Sequence, residues 1–527
     1  MPKKTEAMIS NDPNQYLLPD DSHDRTLIGN VHPSDWVNPT SDSRYNIVVI
    51  GAGTAGLVTA AIAAGIGAKV ALVERQLMGG DCLNVGCVPS KAIIRAARAW
   101  SDLRRMEEFG VHIPAGVKYD FGAAMTRMRR LRASLSSMDS AHRFKKLGVD
   151  VFLGNGRFAG SNTIEVHGSA GSRTIQFSKA AICTGAKAAA PSISGLEKAG
   201  FLTNETIFNL TELPRRLAVI GAGPIGCEMA QSFARFGSEV VLFEQLANIL
   251  PREDVDAAEA VQCQMKQDGV GLVFHANITK VDRNGMETII SYETEGVVKE
   301  HVVDQIIVGT GRSPNVEGLG LDRVGVDFDI RGGVKVNQRL QTTNASIFAA
   351  GDVCFPFKFT HTADAMAQIL IQNALFPHPL GLGYASTASL IIPWCTYTVP
   401  EIAHVGMYEA DAKTQGIEIE THTFNMNEVD RAVLDGEVEG FARIHVKKGS
   451  DRILGATIVA TRAGDMINEF TVLMRGGLGA KVIAGTIHPY PTQAEVSKKV
   501  VNLWRKAHFT ERQKHILRKW FAWCRRG

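Results

Sequence analysis

The chain has 527 residues, of which 45% are hydrophobic and 21% are charged, and its formal net charge is +3. A chain of this length is too long for one hydrophobic core and predicts three or four domains. The average composition argues against a disordered chain or a membrane channel, and the small net charge gives no indication of nucleic-acid binding. No eighteen apolar residues run together, so no membrane-spanning helix is expected.

Residues 1–43 read as a polar leader, rich in Asn, Asp, Ser and Pro, without an apolar core of signal-peptide length. The whole chain has eight cysteines. Because a chain without a secretion signal is expected in a reducing compartment, a disulfide in it is more often catalytic than structural. A cytoplasmic location is therefore the expectation.

A dinucleotide-binding pattern follows the leader. The apolar segment Tyr45–Ile50 predicts a strand, the alanine-rich stretch to about Ile66 predicts a helix, and Lys69–Val73 predicts a second strand, closed by Glu74. The turn after the first strand carries the three glycines of a GxGxxG motif, Gly51, Gly53 and Gly56. These glycines allow a tight turn and the approach of a pyrophosphate to the helix N-terminus, while the acid can bind ribose hydroxyls.

The next segment, Gly79–Lys91 or GGDCLNVGCVPSK, sets Cys82 and Cys87 five residues apart. In a regular helix such residues are separated by about 7.5 Å along the axis, whereas a disulfide needs Cα atoms roughly 4.4 to 6.8 Å apart. Gly86 and Pro89 would bend Cys87 back toward Cys82 at a helix N-terminus, where a thiolate is stabilised. We interpret the pair as a redox-active disulfide. Two inert core cysteines or half of a zinc site stay open as alternatives.

The dinucleotide pattern occurs again 170 residues later. Leu217–Ile220 and Glu239–Phe243 predict strands, a helix runs between them through about Phe236, and Glu244 closes the second strand. The glycines of this copy are Gly221, Gly223 and Gly226. In both copies the acid lies 23 residues after the first glycine. Two such sites beside a redox disulfide suggest electrons passing from a nicotinamide through a flavin to the cysteines, with FAD in the first site and NAD(P) in the second.

These motifs resemble those of the pyridine nucleotide-disulfide oxidoreductases, flavoproteins that include dihydrolipoamide dehydrogenase, glutathione reductase and mercuric reductase. The resemblance covers residues 44–502 and extends to Ile182–Ala186, Gly309–Asn315 and Ser346–Asp352. It implies an α/β fold with two Rossmann-like domains, one for FAD and one for NAD(P), and an α+β dimerisation domain. The expected divisions are 44–195 and 336–388 for FAD, 196–335 for NAD(P), 389–502 for dimerisation and 503–527 for a C-terminal helix.

The same resemblance assigns roles to single residues. Cys82 would be the interchange thiol and Cys87 the flavin-facing one. Lys91 would lie by the flavin N5 edge, held in place by Glu228. The remaining FAD-binding positions would be Thr184, Gly185, Gly351 and Asp352, with Asp352 on the ribityl chain, and Gly311 would join the NAD(P) site. The resemblance also implies a homodimer whose subunits complete each other's active sites. NADH is the expected donor, with NADPH possible, because Glu244 would repel a 2′-phosphate.

The segment Ile487–Glu495 departs from most of the family. Dithiol and disulfide enzymes of the family have a catalytic histidine directly before a Pro-Thr pair, held by a glutamate that here is Glu495. This chain has Tyr490 in that place, as mercuric reductases do. A free tyrosine is deprotonated at neutral pH only about one time in a thousand, so it is a poor general base. His488 is the nearby histidine that could substitute.

The expected acceptor is therefore Hg(II) or another thiolate-bound metal ion at Cys82 and Cys87, because soft thiolates suit soft metals. No structural metal is expected. Dihydrolipoamide dehydrogenase-like chemistry, other disulfide or quinone acceptors, and a non-enzymatic flavin-holding metal sequestrant stay open. The chain lacks the terminal Cys-Cys pair and the CxxC domain that mercuric reductases often carry, and its tail offers only Cys524.

Residues 503–527 carry eight basic residues against the single acid Glu511. Ile516, Trp520 and Cys524 lie at helical spacing. Such a basic amphipathic helix can lie on an anionic membrane surface. We expect it instead to pack on its own protein with its charges solvated.

Overall fold

The computed structural model describes residues 17–40, 43–169, 171–285 and 287–526. The chain forms two compact units. The first comprises the described residues up to Ala247 together with Gly269–Leu390, and the second comprises Asn248–Asp268 together with the described residues from Ile391 onward. Within these ranges, no helix combines the length and the hydropathy that a membrane span requires.

A seven-stranded sheet lies in the first unit. Its strands are β1 (Tyr45–Ile50), β2 (Val70–Glu74), β3 (Val149–Leu153), β4 (Asn155–Gly160), β5 (Thr163–Gly168), β6 (Gly171–Ile182) and β18 (Ile347–Ala349). The order is β3-β2-β1-β6-β5-β4, with β18 also paired to β6. β3, β2, β1, β6 and β18 pair in parallel. β1, β2, β3 and β18 are largely apolar, because both faces of such a sheet are covered.

The carboxyl ends of three of these strands meet at one edge of the sheet. Ile182 pairs with Ile50 on one side and with Ala349 on the other. The chain segments that follow β1, β6 and β18 therefore emerge together. They carry the first GxGxxG motif, Thr184–Gly185 and Gly351–Asp352. Ligands of open α/β sheets bind at such an edge, so the fold brings the three expected FAD segments to one place.

A second, four-stranded parallel sheet repeats this arrangement. Its strands are β8 (Arg216–Ile220), β9 (Glu239–Phe243), β10 (Val270–Val273) and β14 (Gln305–Val308), in the order β10-β9-β8-β14. Ile220 pairs with Val308, which brings Gly221 beside the segment that begins at Gly309. An antiparallel sheet of β11 (Asn277–Asn284), β12 (Glu287–Thr294) and β13 (Val297–Val303) accompanies it.

The other elements of the first unit connect and cover these sheets. Its helices are α1 (Ser22–Val31), α2 (Thr54–Gly65), α3 (Gly80–Asn84), α4 (Cys87–Arg104), α5 (Phe121–Ser136), α6 (Ala141–Lys146), α7 (Leu196–Ala199), α8 (Pro224–Phe236) and α10 (Thr360–Leu375). Its short strand pairs are β7 (Ala186–Ala188) with β15 (Arg312–Pro314), and β16 (Phe328–Asp329) with β17 (Gly333–Val334).

The second unit is an α+β domain around a five-stranded antiparallel sheet. The strands are β19 (Pro393–Thr396), β20 (Glu401–Gly406), β21 (Ile419–Asn425), β22 (Phe441–Lys447) and β23 (Ile453–Ala460), in the order β19-β20-β23-β22-β21. The helices are α9 (Val255–Gln267), α11 (Glu409–Thr414), α12 (Asp430–Asp435), α13 (Ala463–Met466), α14 (Asn468–Arg475), α15 (Ala480–Gly485), α16 (Glu495–Ala507) and α17 (Glu511–Cys524). This unit has an apolar core of its own.

The polar leader contains a packed helix, which the sequence analysis did not anticipate. Residues 1–16, 41 and 42 of the leader lie outside the described residues. In α1, Leu27, Ile28 and Val31 are buried in the same core as β1 and α2. A buried ion pair joins α1 to α5: Arg132 Nη2 lies 2.8 Å from Asp24 Oδ1, and both side chains are 1% exposed.

The C-terminal segment also differs from the expectation of one packed helix over 503–527. α16 continues to Ala507, and α17 begins after Thr510, which forms a capping box with Gln513. α16 is amphipathic and buries Val500 and Trp504, whereas α17 buries none of its residues. The expectation of packing thus holds for the start of this segment, where Trp504 is buried, and fails for residues 511–524.

Candidate active site

The two cysteines of the redox segment lie on adjacent helices. Cys82 is in the middle of the short helix α3, and Cys87 is the first residue of α4. A Cβ atom on Gly86 would lie 2.7 Å from the carbonyl oxygen of Asp81 and 3.4 Å from the Cα of Cys82. Glycine at this position thus lets the chain double back and bring Cys87 against Cys82.

Cys82 and Cys87 are both free thiols in this structure. The pair that the sequence predicts to be redox-active is present here as two adjacent free thiols, which is its reduced form. The pKa values of the two thiols are shifted in opposite directions. A hydrogen bond from Cys82, the Thr360 hydroxyl at 3.3 Å and the charge of Lys91 together outweigh burial and lower the pKa of Cys87 to about 6. Its hydrogen bond to Cys87, together with burial, raises the pKa of the Cys82 thiol. Cys87 is therefore the thiolate and Cys82 the thiol.

Lys91 follows Cys87 by four residues, so both lie on one face of α4. Its Nζ atom lies 3.0 Å from Glu228 Oε2. Glu228 is on α8, directly after the second GxGxxG motif, and its side chain is only 6% exposed. The two groups expected to pair thus do so, and the pair joins the two dinucleotide motifs next to the dithiol.

The first GxGxxG motif fits the pyrophosphate and ribose of FAD. α2 begins after Gly53 without a side-chain cap, which leaves its first N–H groups for a phosphate. A Cβ atom on Gly56 would lie 1.8 Å from the carbonyl oxygen of Gly51, so helix and strand need glycine here. Glu74 Oε2 accepts a hydrogen bond from the Ala52 N–H at 2.6 Å, which fixes the carboxylate where ribose hydroxyls can reach its remaining lone pairs.

The second motif has the same geometry and fits a second dinucleotide. α8 begins after Gly223, also without a side-chain cap. A Cβ atom on Gly226 would lie 1.9 Å from the carbonyl oxygen of Gly221. Glu244 Oε2 accepts from the Ala222 N–H at 2.7 Å, as Glu74 does in the first motif. Gly311, the remaining position expected in the NAD(P) site, lies just before β15.

Asp352, expected on the ribityl chain, has a charged neighbour that the sequence analysis did not single out. Arg312 Nε lies 3.5 Å from Asp352 Oδ2, and the same guanidinium is ion-paired with Asp81. Burial raises the pKa of the Asp352 carboxyl, although the positive charges of Arg312 and Lys358 lower it. Arg312 stands in a motif that carried the family resemblance, but nothing in that motif shows which carboxylates it would meet.

A pocket opens beside Cys82. Its wall is largely apolar, with Leu57 of α2 and Val88 of α4 among the lining residues. Met138 contributes a thioether to the lining of this pocket, and Asp139 contributes a carboxyl group. Burial raises the pKa of Asp139. Thr360, Met138 and Asp139 were all missed from the sequence, because each comes from a distant segment and stands in no motif.

The predicted base segment lies in the second unit. Tyr490 is 69% exposed, and its hydroxyl donates a hydrogen bond to Asp430 Oδ2 at 2.8 Å. That hydrogen bond and the Asp430 charge, followed by burial and the charge of Glu495, raise the pKa of Tyr490. His488 Nε2 lies 2.9 Å from Glu469 Oε1, and its side chain is only 7% exposed.

Glu495 is the glutamate that holds the histidine in dithiol enzymes of the family. Its Oε2 atom is buried and has no hydrogen-bond partner among the described residues. Within the same ranges, no group of three or more His, Cys, Asp or Glu side chains is arranged to hold a metal ion. In the first unit, Cys82, Cys87, Lys91 and Glu228 lie close together. In the second unit, the position of the family's catalytic histidine is occupied by Tyr490, whose phenol is protonated at neutral pH.

Comparison with known proteins agrees with this geometry. The family described as "Pyridine nucleotide-disulphide oxidoreductase" matches residues 45–368, and its dimerisation domain matches residues 392–501. The mercuric reductase of Staphylococcus aureus is 34% identical over 459 residues, which are 86% of this chain and 81% of that protein. The dihydrolipoyl dehydrogenase of Bacillus subtilis is 33% identical over 460 residues, covering 85% and 94% of the two chains.

Among solved structures, the Cu(II) complex of the HOCl-induced flavoprotein disulfide reductase RclA from Escherichia coli has a TM-score of 0.78. It is 28% identical, and the match covers 88% of this chain and 99% of that one. Members of the family use FAD and NAD(P)H. The two dinucleotide motifs, the dithiol between them and these matches show that the chain is a FAD-dependent enzyme of the pyridine nucleotide-disulfide oxidoreductase family.

Proposed function

We propose that this enzyme uses NAD(P)H to reduce a soft metal ion held by Cys82 and Cys87, with Hg(II) as the reference substrate. The observation that carries the proposal is the hydrogen bond from Tyr490 to Asp430. In the overall reaction one NAD(P)H supplies two electrons, Hg(II) becomes Hg(0), and NAD(P)⁺ and one proton are released.

Reduction of a disulfide substrate, or oxidation of a dithiol, needs a group that moves a proton at the substrate sulfur. Asp430 and Glu495 both raise the pKa of Tyr490, so its hydroxyl keeps its proton at neutral pH and cannot act as a general base. A metal ion bound by thiolates needs electrons and no such proton transfer. Replacement of the histidine by Tyr490 is therefore compatible with a metal substrate and unfavourable for a dithiol.

The residues around the dithiol support this function. Bound FAD would supply the two-electron relay between the nicotinamide and the thiols. Lys91, held by Glu228, lies beside Cys87 and favours its thiolate, which is a soft ligand. Cys82 opens into the pocket that contains the thioether of Met138. The Cu(II) complex of RclA adds support for a metal as substrate or ligand.

Dihydrolipoyl dehydrogenase activity is the second candidate. The matched enzyme of Bacillus subtilis supports it, and Asp139 gives it a structural basis, because burial raises the pKa of this carboxyl beside Cys82. His488 is a weaker candidate for the missing base, since its ring is mostly buried and bound to Glu469.

Turnover of the purified holoenzyme with NADH or NADPH distinguishes the two candidates. The acceptors are thiol-complexed Hg(II), Cu(II), lipoamide, glutathione disulfide and a quinone. In this proposal the Tyr490 hydroxyl ligates or orients the metal ion near Cys82 from across the dimer interface. We therefore expect Hg(II)-dependent oxidation to fall roughly tenfold in Tyr490→Phe, which removes that one hydroxyl contact, with flavin reduction by NADH unchanged. Tyr119→Phe makes the same substitution in the loop before α5 and serves as the control.

His488→Gln and Asp139→Asn test the alternative. We expect weak lipoamide activity that hardly changes in His488→Gln. Strong lipoamide turnover that either substitution abolishes, together with no Hg(II)-dependent oxidation, would replace the metal proposal with the dehydrogenase one.

A further inference from the structure

Among the described residues, the helix α17 buries none of its side chains, although its neighbour α16 is well packed. α16 buries Val496, Val500, Val501 and Trp504 in the core of the second unit. None of the fourteen residues of α17 is buried. Its start is nevertheless well defined by the capping box of Thr510 and Gln513, so it is a regular helix with both faces uncovered.

One face of α17 is apolar and aromatic. At 100° per residue, five large side chains fall on one side of the helix, and their exposed fractions are 57% for Ile516, 37% for Leu517, 55% for Trp520, 53% for Phe521 and 64% for Trp523. The two tryptophan rings lie 5.1 Å apart. Tryptophan in such a place favours the boundary between water and lipid, because its ring is apolar and its N–H is polar.

The opposite face is basic. Its cations are Arg512, Lys514, Arg518 and Lys519, and Arg525 and Arg526 follow directly after the helix. The sole acid from residue 511 to residue 526 is Glu511. Six cations against one anion give this segment a net charge of +5, in a chain whose total is +3. The rest of the chain therefore has a small net negative charge, and the net positive charge of the chain comes from this segment.

We propose that α17 binds the surface of an anionic lipid bilayer, with its apolar face at the depth of the acyl-chain boundary and its cations among the headgroup phosphates. A large apolar face opposite a dense basic face is the pattern of helices that lie in the plane of a membrane. The fourteen residues would lie along about 21 Å of that surface.

A second copy of α17 is a less favourable partner than a bilayer. Packing two apolar faces together would bring two segments of charge +5 side by side, and like charges repel. An anionic surface covers the same apolar face and neutralises the same cations. Binding to an anionic bilayer would therefore bury the apolar face and neutralise the basic face of α17 together.

Vesicle co-sedimentation of the holoenzyme tests the proposal. One set of vesicles is phosphatidylcholine alone, and in the other a third of it is replaced by phosphatidylglycerol. We expect at least tenfold stronger binding to the anionic vesicles, and a loss of about tenfold when salt is raised from about 0.1 to 0.5 M, since salt screens the headgroup charge. Brominated lipid should quench the fluorescence of Trp520 and Trp523.

Two variants identify the helix. Trp520→Glu/Trp523→Glu and a deletion of residues 510–527 should each reduce binding at least tenfold and leave soluble NADH oxidation unchanged, because α17 buries nothing. Val298→Glu, at a residue of β13 that is 69% exposed, is the matched control. Equal binding to both vesicle types, or binding that survives the deletion, would overturn the proposal. Dissociation of a dimer by either variant would also overturn it and assign α17 to subunit contact.

Discussion

Cys82 and Cys87 have the same side chain but opposite protonation, and the difference is measurable. Cys87 has a pKa of about 6 instead of the usual 9.0, so its thiolate predominates above that pH and is lost below it. In the reduced enzyme, we expect iodoacetamide to modify Cys87 rapidly at pH 7, and tenfold more slowly for each unit below about pH 6. Pulse alkylation followed by peptide mass spectrometry gives the profile. A midpoint near 9 would contradict the assignment.

The ion pair beside Cys87 should shift that midpoint in two directions. The charge of Lys91 lowers the pKa of Cys87, and the charge of Glu228 raises it. Lys91→Gln should therefore raise the alkylation midpoint, and Glu228→Gln should lower it. Lys187→Gln removes an exposed lysine from a surface ion pair and should have no effect. Shifts of the same sign in the first two variants would mean that the pair acts through structure and not through charge.

We expect the preference between NADH and NADPH to depend on the carboxylate of Glu244. Glu244 is fixed by the N–H groups of Ala222 and Leu246, at 2.7 and 3.0 Å, where it can accept hydrogen bonds from ribose hydroxyls and repel a 2′-phosphate. We expect NADH to be preferred, and Glu244→Ala to lower kcat/KM for NADH roughly tenfold while NADPH gains. Steady-state kinetics with both nucleotides decide this. Equal use of NADPH by the wild type, unchanged in the variant, would refute it.

The sequence pointed to the residues that stand in motifs, because spacing alone singles out Cys82, Cys87 and the acids Glu74 and Glu244. Lys91 and Glu228 followed from family resemblance. Asp139 and Thr360 could not be predicted, since a single acid or hydroxyl gains its role only when the fold brings it against a distant thiol. The protonation difference between the cysteines likewise depends on which sulfur donates a hydrogen bond.

At the level of elements, α1 depends on one buried charge pair. Asp24 and Arg132 are both fully buried, and Arg132 also donates to the carbonyl oxygen of Asn84 at 2.8 Å. Removing one partner of such a pair leaves an uncompensated buried charge and costs about 3–5 kcal/mol. We expect Asp24→Asn to lower the urea midpoint of unfolding accordingly. Arg25→Gln, which breaks the exposed pair with Asp20, is the control and should leave the midpoint unchanged.

The elements with strong periodicity were predicted almost to the residue. The strands of both dinucleotide motifs lie within a residue or two of the expected bounds. α1 was missed because its apolar residues are few and stand in a polar segment. The sequence predicted α17 as a basic amphipathic helix. It did not predict what the apolar face of α17 contacts, because amphipathic spacing identifies an apolar face but not the surface that binds it.

For the whole molecule, the match of residues 392–501 to the dimerisation domain predicts a homodimer. The second unit has its own core, so it can present an interface without help from the dinucleotide sheets. Light scattering should give twice the 57.1 kDa chain mass. The deletion of residues 510–527 should leave that mass nearly unchanged, and a monomer in either protein would contradict the prediction.

The buried pair of Asp24 and Arg132 also bears on how this enzyme is produced for study. The family match begins at residue 45, so an expression plan drawn from domain boundaries would start there and discard α1. Such a truncation would remove Leu27 and Val31 from the apolar core that they share with β1 and α2. It would also leave the buried guanidinium of Arg132 without its anion, and Arg132 is hydrogen-bonded to Asn84 of α3, the helix that carries Cys82. Recombinant versions should therefore begin upstream of Asp21, the N-cap of α1.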